Sequence, residues 1–173
     1  MLKTQIIDTI IDAEGGYVND DLDSGGETNF GVTEFIARRH GYVGDMIDMR
    51  REFAFKVYAE QYWHSVAGDQ LVQLSEPVAR EVVDTCVNCG SSQAGKFLQR
   101  ALNVLTSFEN IVDDGVIGPV TLSALCQYLA KRDERTLVMA LNALQGTFYI
   151  ELATKRPKDK RFIYGWLNNR VMM

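Results

Sequence analysis

The feature that most constrains this chain is an amphipathic segment that starts near residue 2 and ends at two glycines. Its apolar residues recur at helical spacing and share one face, and they are Leu2, Ile6, Ile7, Ile10 and Ile11. Glu14 follows Ile10 by four residues and Ile11 by three, so a carboxyl group lies on the same face. Because Gly15 and Gly16 end helices readily, we predict a helix whose last turn carries an acid on its buried side.

This position predicts a carboxyl group that holds its proton. Partial burial and the negative end of the helix dipole both disfavour the charged form of Glu14, and each would raise its pKa. A carboxylic acid that stays protonated near neutral pH is what general-acid catalysis requires. The alternative is a solvated Glu14 whose methylene stem lies on the core, and position alone does not choose between the two.

Length and charge bound the remaining possibilities. The chain has 173 residues, enough for one domain or two small ones, and its net charge of −5 gives no general basic footprint for nucleic acid or acidic lipid. No apolar run approaches the roughly 18 residues of a membrane span, and the first residues lack the apolar core of a signal peptide. We therefore expect a protein made in the cytoplasm, without membrane insertion.

A polar, glycine-rich stretch follows the first helix, from Tyr17 to Thr33. Short apolar segments at both of its ends predict a small β-hairpin or an irregular loop. Asp23 lies nine residues after Glu14 and Thr28 fourteen, near enough in sequence for the three side chains to line one cleft.

The same stretch raises the alternative of a bound calcium ion. Asn19, Asp21 and Asp23 alternate as EF-hand ligands do. Ser24 and Phe30, however, stand where that motif needs glycine and a bidentate glutamate. The EF-hand pattern therefore fails; a structural ion stays open as an alternative, and we predict no metal and no cofactor.

The rest of the chain is predicted to be helical. Capping residues, prolines and apolar spacing indicate helices from Thr33 to Arg39, from Asp45 or Asp48 to Trp63, from Ser75 to Cys89, from Ser91 or Ser92 to Leu105, from Pro119 to Leu129 and from Glu134 to Thr154 after a cap at Asp133, with a last amphipathic piece around Trp166.

Several side chains allow two interpretations. Tyr62 and Trp63 end a predicted helix, where aromatic rings either join the core or form a wall on which sugar rings stack. Cys86 and Cys89 form a CxxC without a second pair, so we favour helix packing over zinc or redox chemistry. His40 and His64 have no other metal ligand near them in sequence, and a surface or capping role is expected for both.

Four motifs resemble a known family. Glu14-Gly-Gly-Tyr17, residues 23–33, Asp84-Thr-Cys-Val-Asn88-Cys-Gly90 and Leu98-Gln99-Arg-Ala-Leu-Asn103 are similar to glycoside hydrolase family 108, lysozyme-like enzymes of phages, prophages and bacteria. Residues 114–121 and Gly165-Trp166-Leu-Asn-Asn-Arg170 resemble the peptidoglycan-binding module often attached to it. The resemblance implies a mainly α, lysozyme-like helical fold, with residues 1–90 as the catalytic region and 91–173 as the helical peptidoglycan-binding region, either a separable module or fused with the first region as one globule.

The resemblance also implies an activity and site residues. It implies an N-acetylmuramidase that cleaves the bond between N-acetylmuramic acid and N-acetylglucosamine in the glycan strand of peptidoglycan. Glu14 would be the catalytic acid, and Glu14, Asp23 and Thr28 resemble the Glu-Asp-Thr triad of phage lysozymes, with a last interval one residue shorter. Candidate substrate-binding residues are Tyr17, Asn29, Tyr62 and Trp63, and candidate residues of the binding module are Asp114, Gly118, Thr121 and Trp166.

Alternatives of other classes stay open. The chain could be a non-catalytic peptidoglycan-binding protein, or a chitinase-like or chitosanase-like glycanase using the same acid. An endolysin made without an export signal would need a holin or another route to the wall. Between Glu14 and Asp23 we expect the wider spacing of an inverting glycosidase, about 6.5–9.5 Å.

Overall fold

The computed structural model describes residues 2–19, 26–107 and 111–171. The chain forms two compact units, residues 1–65 and residues 66–173. Helices dominate both, and a two-stranded antiparallel sheet follows the first helix. This confirms the expected mainly helical fold with a small hairpin after the first helix.

The first unit is built on helix α1 and the hairpin after it. Its regular elements are α1 (Leu2–Glu14), β1 (Thr28–Asn29), β2 (Val32–Thr33), α2 (Glu34–Arg39), a 3-10 turn (Met46–Asp48), α3 (Arg51–Tyr58) and a π-helical turn (Ala59–Trp63). The four isoleucines of α1 are all buried, as their spacing predicted. Helix α1 packs on α3, which brings the acid-bearing end of α1 to the same side of the unit as the hairpin.

The helix predicted from Asp45 or Asp48 to Trp63 is divided in the structure. A 3-10 turn comes first, α3 begins only at Arg51, and the last five residues are π-helical. The Asn29 side-chain amide donates to the carbonyl oxygens of Met46 at 2.7 Å and Ile47 at 3.3 Å. The Met46 carbonyl also accepts from the Met49 amide at 3.2 Å, which closes the 3-10 turn, so the hairpin side chain binds this segment where it turns ahead of α3.

The second unit is entirely helical in its described part. It contains α4 (Gly68–Leu74), α5 (Glu76–Cys89), α6 (Ser91–Leu105), α7 (Pro119–Leu129), α8 (Glu134–Lys155), a 3-10 turn (Pro157–Asp159) and α9 (Lys160–Arg170). Helix α5 packs against α4, α6 and α8, and α8 also packs against α6 and α9, so α5 and α8 form the centre of the unit. None of the helices in the described ranges is long and apolar enough to cross a bilayer.

The predicted helix caps are confirmed at three positions. Thr33 accepts from the Ile36 amide, Ser75 from the Val78 amide and Asp133 from the Thr136 amide. The expected cap of α6 at Ser91 or Ser92 is wrong, because Gly90 is the capping residue and no side chain caps that helix. Cys86 is buried and Cys89 is partly buried on α5, and burial raises the pKa of the Cys89 thiol to about 12.

Candidate active site

Glu14 is the last residue of α1, and its side chain is half-buried. Gly15 follows with φ of +85°, a conformation that ends a helix at little cost for glycine. The Glu14 stem lies against Gly31, where an added Cβ would come within 2.9 Å of both Cβ and Cγ of Glu14. The acid is therefore neither a core residue nor a freely solvated one, because a hairpin turn covers one side of its stem.

The covering turn is the two-residue loop of the hairpin. Thr28 pairs with Thr33 and Asn29 with Val32, which leaves Phe30 and Gly31 as the loop. Both have positive φ, +50° and +73°, as in type I′ hairpin turns. Only glycine fits the second position, because a side chain there would meet Glu14 and the Tyr58 hydroxyl as well as an unfavourable φ.

Thr28 occupies the middle of this small sheet. It bridges to Val18 on its other side, with N–H···O distances of 2.8 and 2.9 Å in the two directions. Since Val18 comes four residues after Glu14, these bonds tie the segment that leaves α1 to the hairpin. Thr28 is thus held by the backbone on both sides, within the element whose turn covers the acid.

Tyr58 reaches the same turn from α3. Its side chain is 2% exposed, and its hydroxyl donates to the Phe30 carbonyl oxygen at 3.2 Å. Its ring packs on that of Tyr62, with centroids 5.2 Å apart. Tyr58 is thus a core aromatic, and no local pattern in the sequence indicates that its hydroxyl and Gly31 meet beside Glu14.

Polar side-chain contacts hold α1 in place at several points along its length. The Arg51 guanidinium bonds to Asp8 at 3.1 Å and to Asp12 at 2.7 Å, which joins the start of α3 to the middle and the end of α1. Lys3 contacts the His64 ring nitrogen at 3.2 Å and lies over the Trp63 ring at the other end of α1. The backbone that carries Glu14 is therefore held along its length.

The other predicted site residues lie in different surroundings. Tyr17 is 36% exposed; partial desolvation, followed by the charge of neighbouring Glu27, raises the pKa of its phenol. Tyr62 is half-buried, whereas Trp63 is fully buried and Asn29 is 3% exposed, with its amide used inside the fold. The structure brings Glu14 and the hairpin carrying Thr28 and Asn29 together, while Asp23 lies outside the described residues.

No metal centre is built in the part of the chain that the structure describes. Within those ranges no three His, Cys, Asp or Glu side chains are grouped so that they could hold an ion. His40 ends α2 and pairs with Glu60 at 3.2 Å, and His64 contacts Lys3. Asp21 and Asp23 of the calcium alternative fall outside the described residues.

In the second unit, Gln99 lies beside three of the four predicted binding-module residues, Asp114, Gly118 and Thr121. This side chain is 2% exposed; its amide nitrogen donates to Asp114, to the Val116 carbonyl and to Thr121, and its oxygen accepts from the Gly115 amide at 2.8 Å. The loop from Asp114 to Gly118 is thereby fixed beside a pocket of about 260 Å³ at the start of α7. Gln99 belongs to one of the motifs that carry the resemblance, and its signal in the sequence is a polar residue on the apolar face of α6.

Trp166 lies elsewhere in this unit. It packs between Tyr149 of α8 and Phe162 of α9, at centroid distances of 5.4 and 5.9 Å. It is not among the residues that line the pocket beside Asp114, Gly118 and Thr121. These two ring contacts hold α9 against α8.

Comparisons with known proteins agree with this architecture. Residues 7–90 match the family described as Glycosyl hydrolase 108, and residues 93–171 match the one described as Predicted Peptidoglycan domain. The chain is also similar to the solved structure of Brucella abortus SagA, with 27% identity and a TM-score of 0.75, covering 96% of this chain and 87% of that one. No curated protein matches.

These matches confirm the lysozyme-like helical fold and support a glycosidase that has peptidoglycan as its partner. The motifs from Glu14 to Gly90 fall in the first match and those from Asp114 to Arg170 in the second, whereas Leu98–Asn103, attributed above to the hydrolase, lies in the peptidoglycan domain. The chain is therefore identified as a glycosyl hydrolase 108 segment over residues 7–90 joined to a peptidoglycan domain over residues 93–171.

Proposed function

We propose that this protein is a lysozyme-type N-acetylmuramidase in which Glu14 is the general acid. One observation carries the proposal. Glu14 is half-buried at the end of α1, the hairpin turn covers one side of its stem, and it lies inside the segment matched to glycosyl hydrolases. Glycoside cleavage needs a positioned proton donor for the leaving oxygen. Glu14 has the rigid support that such a donor requires, because α1, α3 and the hairpin all hold it.

The remaining roles follow from the chemistry of the reaction. A second carboxylate must stabilise the oxocarbenium-like transition state or activate water, and we assign this role to Asp23. We assign to Thr28 the positioning of that water, since its backbone is fixed in the sheet next to the covering turn. Exposed Tyr17 and half-buried Tyr62 are the candidate contacts for sugar rings.

We assign wall binding to residues 91–173, where the peptidoglycan domain matches. The Gln99-centred loop presents Asp114, Gly118 and Thr121 around one pocket in a fixed conformation. Binding there would keep the enzyme on an insoluble polymer between cleavages. The site of action is then the cell wall.

The bond that is cleaved can be read from the new reducing ends. Purified peptidoglycan is digested, reduced with borohydride and analysed by mass spectrometry. A muramidase yields reduced N-acetylmuramic acid, whereas a glucosaminidase yields reduced N-acetylglucosamine. The second result would reject the proposed specificity, and binding without any new reducing end would favour a non-catalytic wall-binding protein. Parallel digests of chitin and chitosan test the remaining glycanase alternatives.

The acid is tested by a matched pair of isosteric variants. Glu14→Gln should lose about 10²–10⁴-fold or more in rate while it keeps its thermal unfolding midpoint. Glu34→Gln is the control, because Glu34 belongs to the same unit, is about half exposed and pairs across one helical turn with Arg38. It should keep full activity. Equal activities of the two variants would remove Glu14 from the mechanism.

A further inference from the structure

We propose that Tyr58 is a positioning residue for the acid at Glu14, acting through the Phe30-Gly31 turn. This inference rests on the proposed function, because it assigns a role relative to the catalytic acid. It concerns a side chain that neither the sequence motifs nor the comparisons single out for catalysis. Tyr58 would not touch the sugar, since it is 2% exposed.

Tyr58 and Glu14 share a contact at Gly31. The Tyr58 hydroxyl oxygen and the Cβ and Cγ atoms of Glu14 all lie closer than 3.0 Å to the position that a Cβ on Gly31 would take. The phenol oxygen and the stem of the acid therefore both pack against the same face of Gly31, where any side chain would have to lie. Any movement of this turn changes the space in which the Glu14 side chain can rotate.

The Phe30-Gly31 turn has a backbone conformation that needs support from its surroundings. Phe30 has φ of +50°, in the left-handed region that aromatic residues seldom adopt. Two-residue hairpin loops of this kind favour Asn-Gly, because asparagine tolerates positive φ and phenylalanine does not. A residue held in such a conformation persists only where its surroundings hold it. The bond from the Tyr58 hydroxyl to the Phe30 carbonyl oxygen, 3.2 Å long, does so directly.

The phenol of Tyr58 is itself held in place by the packing around it. The Tyr58 ring is buried at the end of α3 and packs on Tyr62. Arg51 at the start of α3 holds α1 through Asp8 and Asp12. One helix thus supports the acid in two ways: its beginning holds the backbone of α1, and its end holds the turn over the side chain. A proton donor misplaced by about 1 Å can cost about 10²-fold in rate, so this support has a catalytic consequence.

The test compares two tyrosine hydroxyls in one protein. Tyr58→Phe removes the bond to the Phe30 carbonyl, and Tyr128→Phe is the matched control, because Tyr128 is 1% exposed and donates to the Asp133 carbonyl at 2.9 Å in the other unit. On soluble peptidoglycan fragments, we expect kcat of Tyr58→Phe to fall about 10-fold with KM changed less than about 2-fold. Tyr128→Phe should keep the wild-type kcat, with a similar shift in melting temperature. Equal kcat values in the two variants, or a loss confined to KM, would overturn the inference.

A rescue variant separates positioning from packing. Phe30→Asn converts the loop to Asn-Gly, which adopts the turn without help. Added to Tyr58→Phe, it should recover most of the lost kcat, although it restores no contact of the phenol. A double variant that stays as slow as Tyr58→Phe would overturn the inference, whether or not the single variant is destabilised.

Combination with Glu14→Gln separates this inference from the proposed function. If Tyr58 acts through the acid, Tyr58→Phe should cost nothing further in a Glu14→Gln background. An equal 10-fold loss in both backgrounds would contradict the inference and leave the proposed function intact. An active Glu14→Gln variant would instead contradict the proposed function, and the inference with it.

Discussion

The buried carboxyl of Glu81 predicts a pH-dependent stability that can be measured directly. Glu81 lies on α5, and among the described residues its Oε1 atom has no hydrogen-bond partner. Burial, and then the charge of nearby Asp84, raise the pKa of Glu81 to about 7, against hydrogen bonds from Asn142 and Thr85 that lower it. Asp84 in turn pairs with Arg170 of α9 at 2.9 Å. The protonated form of Glu81 is therefore the one that the fold favours.

The sign and size of the effect follow from this pKa. The unfolded chain loses the proton near pH 4.5 and the folded chain near pH 7. Between these values the unfolded state binds fewer protons, so the free energy of unfolding falls as pH rises and levels off above pH 7. At about 1.4 kcal/mol per pKa unit, the fall attributable to Glu81 is about 3 kcal/mol.

The assay is urea unfolding of the full chain at several pH values between about 4.5 and 8. Glu81→Gln replaces the carboxyl by a group that is neutral throughout, so the difference between wild type and this variant should change by up to about 3 kcal/mol over that range. Glu76→Gln is the control, since this α5 residue is partly exposed and pairs with Arg80 at 3.1 Å. Parallel pH profiles for wild type and Glu81→Gln would refute the reasoning.

Two further predictions concern packing and stereochemistry. Gly95→Ala should lower the free energy of unfolding by about 1–3 kcal/mol, because a Cβ there would overlap the Gly115 backbone. Gly165→Ala on α9 is the control, since its Cβ would meet no atom within 4 Å, and it should be neutral or slightly stabilising. Thermal unfolding of the two variants checks both, and equal midpoints would contradict the packing argument. Hydrolysis should invert the anomeric centre, as the spacing expected between Glu14 and Asp23 requires, and NMR of the first-formed product would contradict this if it showed net retention.

Local patterns predicted most of the framework. The four buried isoleucines, the end of α1 at Glu14 and the caps at Thr33, Ser75 and Asp133 all depend on residues within a few positions of one another. Such short-range signals can be read directly from a chain. The position of Glu14 on the buried face followed from the same spacing.

Contacts between distant residues were not predictable in this way. The helix expected from Asp45 or Asp48 is divided at a 3-10 turn whose carbonyls at Met46 and Ile47 accept from the Asn29 side chain, about 17 residues earlier in the chain. Helix α4 was missed, since it has seven residues and begins after Ala67 in a left-handed conformation. The meeting of Gly31, Tyr58 and Glu14 depends on the packing of α3 against α1, which no local pattern encodes.

The most direct test of the account is whether the loss in Glu14→Gln depends on the leaving group. A natural sugar leaving group needs a proton, whereas a dinitrophenolate departs without one. We expect Glu14→Gln to lose about 10²–10⁴-fold on peptidoglycan fragments and less than about 10-fold on a dinitrophenyl chitooligosaccharide, relative to wild type on each substrate. Equal losses on both substrates would show that Glu14 is not the proton donor and would contradict the account.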